Sequence, residues 1–190
     1  YRIEYDKVIK PETEPGEGYI NMGEVVKTVA EVSGGNAAIV TDVGQNQMLG
    51  ARYSKFNRTR SLYTSGGLGT MGFGLPAALG VKIATPERQV CLFVGDGGLQ
   101  MTVQELGTIM QEKLGVKIVL LNNNWLGNVR QWQEMFFDER YSQTRMVNPD
   151  YMSIAAAYGI KSRIVEDRSE LEDAVREMLS DDKPYLLEIR

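Results

Sequence analysis

Two almost continuously apolar runs stand out in the pattern of hydrophobic and polar positions along the chain. Residues 89–94 read Gln-Val-Cys-Leu-Phe-Val, and residues 116–121 read Val-Lys-Ile-Val-Leu-Leu. Such runs are typical of strands that are buried on both faces of a parallel sheet, because a half-exposed strand would alternate. Shorter apolar runs at 37–41 and 185–189, together with the segment 160–165 (Ile-Lys-Ser-Arg-Ile-Val), predict three further strands.

Segments whose apolar residues follow a helical spacing lie between these strands. The pattern predicts helices over 22–32, from about 75 to 84, and over 103–113, 126–137, 151–158 and 169–179. Because strands and helices alternate, the predicted fold class is α/β, a doubly wound, mostly parallel sheet with helices on both faces.

Local signals predict several helix ends. Asn21 and Asp150 are suited to be N-caps, and residues 102–105 (Thr-Val-Gln-Glu) fit a capping box. This interpretation makes Glu105 a structural residue rather than a catalytic one. The polar segment 138–148 follows a predicted helix and is expected to be a mobile loop.

Length and composition limit the wider possibilities. The chain has 190 residues, 43% of them hydrophobic, and a net charge of −4, which suits one α/β domain and offers no basic surface to nucleic acid. No apolar run is long enough for a membrane helix. Residues 1–18 are expected to be a linker from a missing upstream domain, leaving 19–190 as the domain itself. Since the chain starts at Tyr1, we expect a fragment of a longer protein.

Cysteine and histidine usage narrows the chemistry. Cys91, the single cysteine, lies within an apolar strand and is predicted to be buried and inert, so no disulfide forms within the chain. This fits a reducing compartment, and we expect a cytoplasmic location. The chain has no histidine, which excludes Ser-His-Asp and Cys-His catalysis and histidine zinc sites within it.

Polar residues follow both long apolar runs, where the strands end. Asp96 lies in a Gly-Asp-Gly-Gly stretch after the first run, and Asn123 lies in an Asn-Asn-Asn-Trp stretch after the second. Ligands bind outside the carboxyl ends of parallel strands, so we expect these side chains at one ligand-binding edge. Carboxylate and amide oxygens suit Mg²⁺, whose remaining ligands are usually phosphate oxygens and water. Gly97 and Gly98 can offer backbone N–H groups to an anion. The pair therefore predicts a metal and diphosphate site.

Two more segments are candidates for the same edge. Residues 42–47 (Asp-Val-Gly-Gln-Asn-Gln) follow the strand at 37–41. Residues 63–72 contain four glycines and are predicted to form a loop that can approach a ligand closely.

Together, these motifs resemble the Gly-Asp-Gly … Asn-Asn signature of thiamine diphosphate (ThDP) enzymes. The span from about Gly18 to Arg190 resembles the C-terminal, diphosphate-binding domain of the acetolactate synthase (acetohydroxyacid synthase) family. Four segments carry the resemblance: 42–48, 64–76 (Thr-Ser-Gly-Gly-Leu-Gly-Thr-Met-Gly-Phe-Gly-Leu-Pro), 95–98 and 121–132.

The resemblance implies a role for each matching position. Mg²⁺ would be held by the side chains of Asp96 and Asn123 and the backbone carbonyl of Trp125. Met71 would support the cofactor in a bent conformation, Gly69 would accept a hydrogen bond from its aminopyrimidine, and Trp132 would shape the pocket of the second substrate. The implied cofactor-binding residues are Val43, Gly44, Gln45, Asn46, Gly69, Met71, Gly95, Asp96, Gly97, Gly98, Asn123, Leu126, Gly127, Asn128 and Val129. No catalytic residue is expected in this fragment.

The resemblance also implies an activity and partners. The reaction would condense pyruvate with a second 2-oxo acid, pyruvate or 2-oxobutyrate, with loss of CO2, in branched-chain amino-acid biosynthesis. The glutamate that activates the cofactor would come from the N-terminal domain of a neighbouring subunit, and FAD would lie on a missing domain. The full-length subunit would form a homodimer or tetramer, with a regulatory subunit as a further partner. The fragment alone would be inactive and would bind ThDP weakly.

Two positions depart from the family pattern. Asn46 stands where the family commonly has histidine, and Asn128 stands where methionine is usual. An asparagine at position 46 can still donate to a phosphate oxygen, whereas Asn128 makes the substrate pocket more polar.

Structural interpretations of the same residues stay open at this point. Asp96 suits an ordinary turn, residues 122–124 an ordinary loop, Met71 and Trp132 a core or interface, and Gln45 and Asn46 a helix start. Two alternative functions also stay open. One is another ThDP-dependent carboligase or 2-oxo acid decarboxylase. The other is a non-catalytic nucleotide-binding module, although no Gly-x-Gly-x-x-Gly opens the helix after the first strand.

Overall fold

The computed structural model describes residues 2–16 and 18–190, and within them six parallel strands form one sheet in the order β2-β1-β3-β4-β6-β5. The strands are β1 (Ala38–Thr41), β2 (Leu62–Tyr63), β3 (Val90–Gly95), β4 (Val116–Leu121), β5 (Lys161–Val165) and β6 (Tyr185–Ile189). Five of them lie within a residue of their predicted bounds. The strand β2 was not predicted, because a strand of two residues is too short to show a periodic hydrophobic pattern.

Helices connect the strands. They are α1 (Arg2–Glu4), α2 (Lys10–Thr13), α3 (Met22–Val32), α4 (Gln45–Tyr53), α5 (Gly74–Ala84), α6 (Asp96–Met101), α7 (Leu106–Glu112), α8 (Gly127–Phe136), α9 (Tyr151–Ala157) and α10 (Leu171–Met178). A π-helical turn (Tyr5–Ile9) joins α1 to α2, and 3-10 turns cover Val103–Glu105 and Arg168–Glu170. Among the residues described, no helix has the length and apolarity needed to cross a bilayer.

The sheet has a separate hydrophobic cluster on each face. Along β3, Leu92 and Val94 pack with residues of α5, α7 and α9, whereas Cys91 and Phe93 pack with residues of α3 and α10. This alternation places helices on both faces, so the predicted doubly wound fold is confirmed. Cys91 is buried and unpaired, as predicted, and burial raises the pKa of its thiol to about 12.

The predicted helix over 103–113 begins at Val103 as a 3-10 turn and is α-helical only from Leu106, and the helix α6 before it was not predicted. The chain turns directly from β3 into α6 at Asp96, breaks at Thr102, and resumes as α7 at Leu106. The capping box does not form, since the Thr102 side chain accepts no cap hydrogen bond, and its hydroxyl donates to the carbonyl of Gly72 (3.1 Å). The N–H of Glu105 bonds instead to the backbone carbonyl of Thr102 (3.0 Å).

The two predicted N-caps have different outcomes. Asp150 caps α9, since its Oδ1 accepts from the N–H groups of Met152 (3.0 Å) and Ser153 (3.2 Å). Asn21 precedes α3 but does not cap it with its side chain. Its amide instead donates to the carbonyl of Glu14 (2.7 Å), which ties the N-terminal segment to the start of α3.

The described part of the N-terminal segment is helical and packs on the domain. The carboxylate of Glu12 pairs with Arg52 (3.0 Å) and accepts from the hydroxyl of Tyr53, both on α4. Its role as a linker, and the boundary between 18 and 19, stay predictions.

The segment 138–148 is partly paired with the loop after β4. Trp125 and Arg145 form an isolated antiparallel bridge, and the N–H of Leu126 bonds to the carbonyl of Thr144 (2.8 Å). Thr144 is buried. The last residues of this segment therefore lie against the candidate site described next.

Candidate functional site

The carboxyl ends of β1, β3 and β4 meet at one edge of the sheet, where an open cavity lies. The cavity is lined by Met22, by Leu121 and by nearly all the residues predicted to bind the cofactor or the metal. The predicted residues in the lining are Val43, Gly44, Gln45, Asn46, Met71, Gly95, Asp96, Gly97, Gly98, Asn123, Trp125, Leu126, Gly127, Asn128 and Val129. The order β1-β3-β4 explains this arrangement, because segments far apart in sequence follow adjacent parallel strands.

Two predicted residues lie outside this lining. Gly69 is exposed on the glycine-rich loop, with a positive φ of 61°. Trp132 lies on α8 with 58% of its surface exposed, and its ring packs against Phe136 at 5.1 Å between centroids. The structure therefore does not bring either of them to the cavity wall.

Asp96 is the first residue of α6 and is almost completely buried. Burial raises the pKa of its carboxyl group, while hydrogen bonds from the Asn148 amide and the Gly97 backbone act in the opposite direction. The Asn148 Nδ2 atom lies 2.7 Å from Asp96 Oδ2. The carboxylate is thus fixed at the cavity wall by donors rather than by a lysine or arginine.

Asn123 lies in a tight turn after β4. Its Oδ1 accepts from the N–H of Trp125 (3.0 Å), and its Nδ2 donates to Gln45 Oε1 (3.4 Å). Asn124, which lies between Asn123 and Trp125 in the chain, has a positive φ of 59°. An amide oxygen retains a second lone pair when it accepts one hydrogen bond, so Asn123 Oδ1 can also bind a cation.

Asn46 lies in the first turn of α4 and is 5% exposed. Its Nδ2 donates to the carbonyl of Val43 (3.1 Å), and its Oδ1 has no hydrogen-bond partner among the described residues. A buried amide oxygen without a partner is unusual, because desolvating it costs free energy. The second hydrogen on Nδ2 remains available to a ligand oxygen in the cavity.

The glycines of the Gly-Asp-Gly-Gly stretch have a steric reason to be glycine. A Cβ at position 97 would lie 2.7 Å from Leu126 Cδ2, and one at position 98 would collide with the carboxylate of Asp42. From the sequence, glycine at positions 97 and 98 is expected because its exposed backbone N–H groups can contact an anion. The structure adds that these positions let α6 pack closely against neighbouring segments.

Asp42 is a buried residue whose role the sequence analysis missed. Its carboxylate accepts from the N–H groups of Gly72 (3.2 Å) and Gly74 (2.7 Å). These bonds hold the glycine-rich loop, and with it Met71, at the end of β1. The available signal was an aspartate that directly follows an apolar strand.

The cavity has a polar side and an apolar side. Asp96, Asn123 and Gln45 are on the polar side, whereas Met71 and Leu126 contribute apolar surface. No lysine or arginine is among the described residues that line it. An anionic ligand bound beside the buried Asp96 carboxylate would therefore need a cation to balance the charge.

Comparison with known families explains this geometry. Residues 42–189 match the family described as thiamine pyrophosphate enzyme, C-terminal TPP binding domain. The chain belongs to this family. The matched range contains every predicted site residue and the strands β2 to β6, and it begins at the residue that follows β1.

Relatives of this TPP-binding domain include acetolactate synthases. The chain is 47% identical over 177 residues to the acetolactate synthase large subunit of Lactococcus lactis subsp. lactis (strain IL1403), covering 93% of this chain and 31% of that protein. It is 45% identical over 166 residues to the acetolactate synthase isozyme 2 large subunit of Escherichia coli (strain K12), covering 87% of this chain and 30% of that protein. The chain thus spans less than a third of the length of these relatives.

A solved structure shares the fold of this TPP-binding domain. It is the Rhodococcus jostii RHA1 thiamine diphosphate-dependent 4-hydroxybenzoylformate decarboxylase, with a TM-score of 0.85 and 25% sequence identity over 94% of this chain and 34% of that one.

Proposed function

We propose that this TPP-binding domain holds the diphosphate of ThDP through Mg²⁺, as part of an enzyme of the acetolactate synthase type. The observation that carries the proposal is the cavity itself, which gathers the predicted residues from three strand ends. The relatives named above support the choice of enzyme.

The metal ligands we propose are the Asp96 carboxylate, the Asn123 amide oxygen and the Trp125 backbone carbonyl. Asp96 is buried at the cavity wall, and the hydrogen bond from the Trp125 N–H to Asn123 Oδ1 links the other two. These are hard oxygen donors, and Mg²⁺ completes its octahedron with phosphate oxygens and water. The cation would also compensate for the absence of lysine and arginine from the described lining.

The diphosphate would be bound by neutral donors. Asn46 Nδ2 has a second hydrogen available, and Gln45 lies beside Asn123 at the same wall. The backbone N–H groups of Gly97 and Gly98 are in the first turn of α6, where they have no intrahelical acceptor.

The apolar side would contact the organic part of the cofactor. Met71 would support it, and Gly44, Leu126, Gly127 and Val129 would line its path. When bound, ThDP supplies the carbon nucleophile that adds to a 2-oxo acid and accepts the electron pair released with CO2.

The proposed substrates are pyruvate and a second 2-oxo acid, pyruvate or 2-oxobutyrate. Asn128 lines the cavity, with its Cβ near Gly44, and would make the substrate end polar. Trp132 would shape the second substrate's pocket only with further protein covering α8. Further parts of the proposal are an activating glutamate and FAD on other domains, a homodimer or tetramer, a regulatory subunit, and a cytoplasmic location.

Binding of ThDP in the presence and absence of Mg²⁺ tests the proposal. Calorimetry with the full-length protein, rather than with the 190-residue chain alone, should show saturable ThDP binding. This binding should require Mg²⁺ and should be lost in Asp96→Ala. Asp138→Ala, which removes a 95% exposed carboxylate, is the matched control and should bind normally. Absence of ThDP binding, or equal binding of NAD, would contradict the proposal.

A second candidate reaction is decarboxylation without carbon–carbon bond formation. The similarity of the fold to a ThDP-dependent decarboxylase favours it. Incubating the active enzyme with pyruvate alone separates the two, because a carboligase releases acetolactate whereas a decarboxylase releases acetaldehyde.

A further inference from the structure

Asn148 lies beside the site, outside the residues that line the cavity. Its Nδ2 atom is within hydrogen-bond distance of three side-chain oxygens. They are Asp96 Oδ2 at 2.7 Å, Asn122 Oδ1 at 2.9 Å and Asn124 Oδ1 at 3.1 Å. One amide thus bridges the end of β3 and the turn that follows β4.

The other half of this amide determines its orientation. Asn148 Oδ1 accepts from Gln100 Nε2 at 2.8 Å and from the hydroxyl of Tyr151 at 3.2 Å. Oxygen acceptors surround the nitrogen, and donors face the oxygen. Rotating the amide by 180° would place its oxygen against the Asp96 carboxylate, so the hydrogen-bond network assigns one orientation.

The backbone around Asn148 is held on both sides. After it, Tyr151 begins α9 and is 1% exposed within the core. Before it, the N–H of Met146 bonds to the carbonyl of Asn124 at 2.8 Å. Because both flanks are fixed, the amide is a rigid bridge rather than a side chain that settles on whichever acceptor is near.

The bridge continues into the sheet. Asn122, which accepts from Asn148, donates through Nδ2 to Glu188 Oε1 at 2.7 Å. Glu188 is completely buried on β6 and also accepts from Arg190 at 2.8 Å. The turn that carries Asn123 and Trp125 is therefore anchored to a neighbouring strand as well as to Asp96.

We propose that Asn148 is a positioning residue for the divalent cation. It fixes the Asp96 carboxylate and the 122–124 turn relative to each other before the cation arrives. This inference rests on the proposed function, since it assumes that Asp96 and Asn123 bind the metal. Groups that orient metal ligands raise affinity because the ligands need no further ordering on binding.

Metal affinity in Asn148→Ala tests the inference. We expect Mn²⁺ affinity, measured by electron paramagnetic resonance of the intact protein with ThDP present, to fall about 10- to 100-fold. The spectrum of any bound Mn²⁺ should also broaden, because a loosely held carboxylate gives several coordination geometries.

Asp150→Ala is the matched control. It removes the cap of α9 two residues away but has no hydrogen bond to Asp96 or to the 122–124 turn. It should lower the melting temperature while leaving Mn²⁺ affinity within about twofold of wild type. A second variant, Gln100→Leu, removes a donor to Asn148 Oδ1 and should weaken Mn²⁺ binding even if Asn148→Ala fails to fold.

The outcomes separate the inference from the proposed function. If wild type binds neither Mn²⁺ nor ThDP, the proposed function fails. If wild type binds both and Asn148→Ala and Gln100→Leu bind Mn²⁺ with wild-type affinity, the inference alone is overturned and Asn148 is only structural.

Discussion

At the scale of single residues, two buried aspartates at adjacent strand ends have different roles. Asp96 follows β3 and lies at the cavity wall, whereas Asp42 follows β1 and bonds to the backbone of the glycine-rich loop. Both are acidic residues after apolar runs, so the hydrophobic pattern alone does not distinguish them. Their hydrogen-bond partners do.

The raised pKa of Asp96 gives a prediction about pH. A proton competes with the cation for this carboxylate, and burial raises the pKa above its ordinary value of 3.8. We expect Mg²⁺ affinity to fall as the pH is lowered, by about tenfold per pH unit once the pH is below this pKa. Calorimetric titrations from about pH 7.5 down to pH 3.8, the ordinary carboxyl value, measure it.

The raised pKa of Asp96 also affects the folding stability of the metal-free protein. This stability should fall as the pH rises, whereas Mg²⁺ affinity should rise. A raised carboxyl pKa contributes stability below pH 3.8 that is lost as the pH rises through the folded-state pKa. An Mg²⁺ affinity that stays constant down to pH 3.8, below the raised pKa of Asp96, would contradict its role as a ligand.

Asp42 gives a prediction about stability. Asp42→Ala leaves the N–H groups of Gly72 and Gly74 without their acceptor in a buried place. We expect the free energy of unfolding to fall by about 2–4 kcal/mol, measured by urea denaturation. The exposed-site variant Asp173→Ala on α10 should lie within about 0.5 kcal/mol of wild type, and an equal effect of the two would contradict the role of Asp42.

At the scale of elements, strands were predicted more accurately than helix starts. β3 and β4 are almost continuously apolar because both faces are covered, and that pattern is visible in the sequence. The start of α6 was missed because Asp-Gly-Gly is typical of a turn or loop. The steep turn from β3 into α6 depends on close packing of Gly98 against Asp42, a contact between distant segments.

Lys117 is the exception within β4, and it gives a prediction at this scale. Its side chain is completely buried, and its Nζ reaches Asp181 at 3.2 Å. Burial lowers the pKa of Lys117, and the hydrogen bond to Asp181 only partly opposes this effect. We expect Lys117→Met to be as stable as wild type at neutral pH or up to about 2 kcal/mol more stable, because a methionine needs no buried charge.

The stability difference should depend on pH. Because the unfolded chain holds the Lys117 proton more tightly, wild type gains stability relative to Lys117→Met as the pH rises from the lowered pKa toward 10.5. Urea denaturation of both proteins at about pH 7 and pH 10 measures this. A difference that stays constant, with Lys117→Met less stable throughout, would contradict the prediction.

At the scale of the whole molecule, α8 carries large side chains that its own domain does not cover. They are Val129, Trp132, Met135 and Phe136, each between 45% and 64% exposed. The chain spans 31% of the length of its Lactococcus relative. The proposed location of the activating glutamate on another domain would divide cofactor binding and catalysis between two domains.

The prediction at this scale concerns the chain by itself. We expect the 190-residue chain to bind ThDP and Mg²⁺ weakly and to form no acetolactate from pyruvate, since we propose that the activating glutamate lies on another domain. A colorimetric acetolactate assay beside calorimetry on the same sample checks both. Trp132→Ala should leave ThDP affinity within about twofold, because Trp132 does not line the cavity. Measurable turnover by the chain would contradict the prediction.

The sequence by itself determined the alternation of strands and helices, the parallel sheet, and the segments that lie at its carboxyl edge. These follow from hydrophobic periodicity and from the rule that parallel strands end together, which are local or topological properties. Only the tertiary structure decided which polar groups face one another. It showed that Asp42 holds the glycine-rich loop, that Trp132 lies away from the cavity, and that Asn148 bridges Asp96 and the turn after β4. Those contacts join residues 24 to 52 positions apart, and no local pattern encodes them.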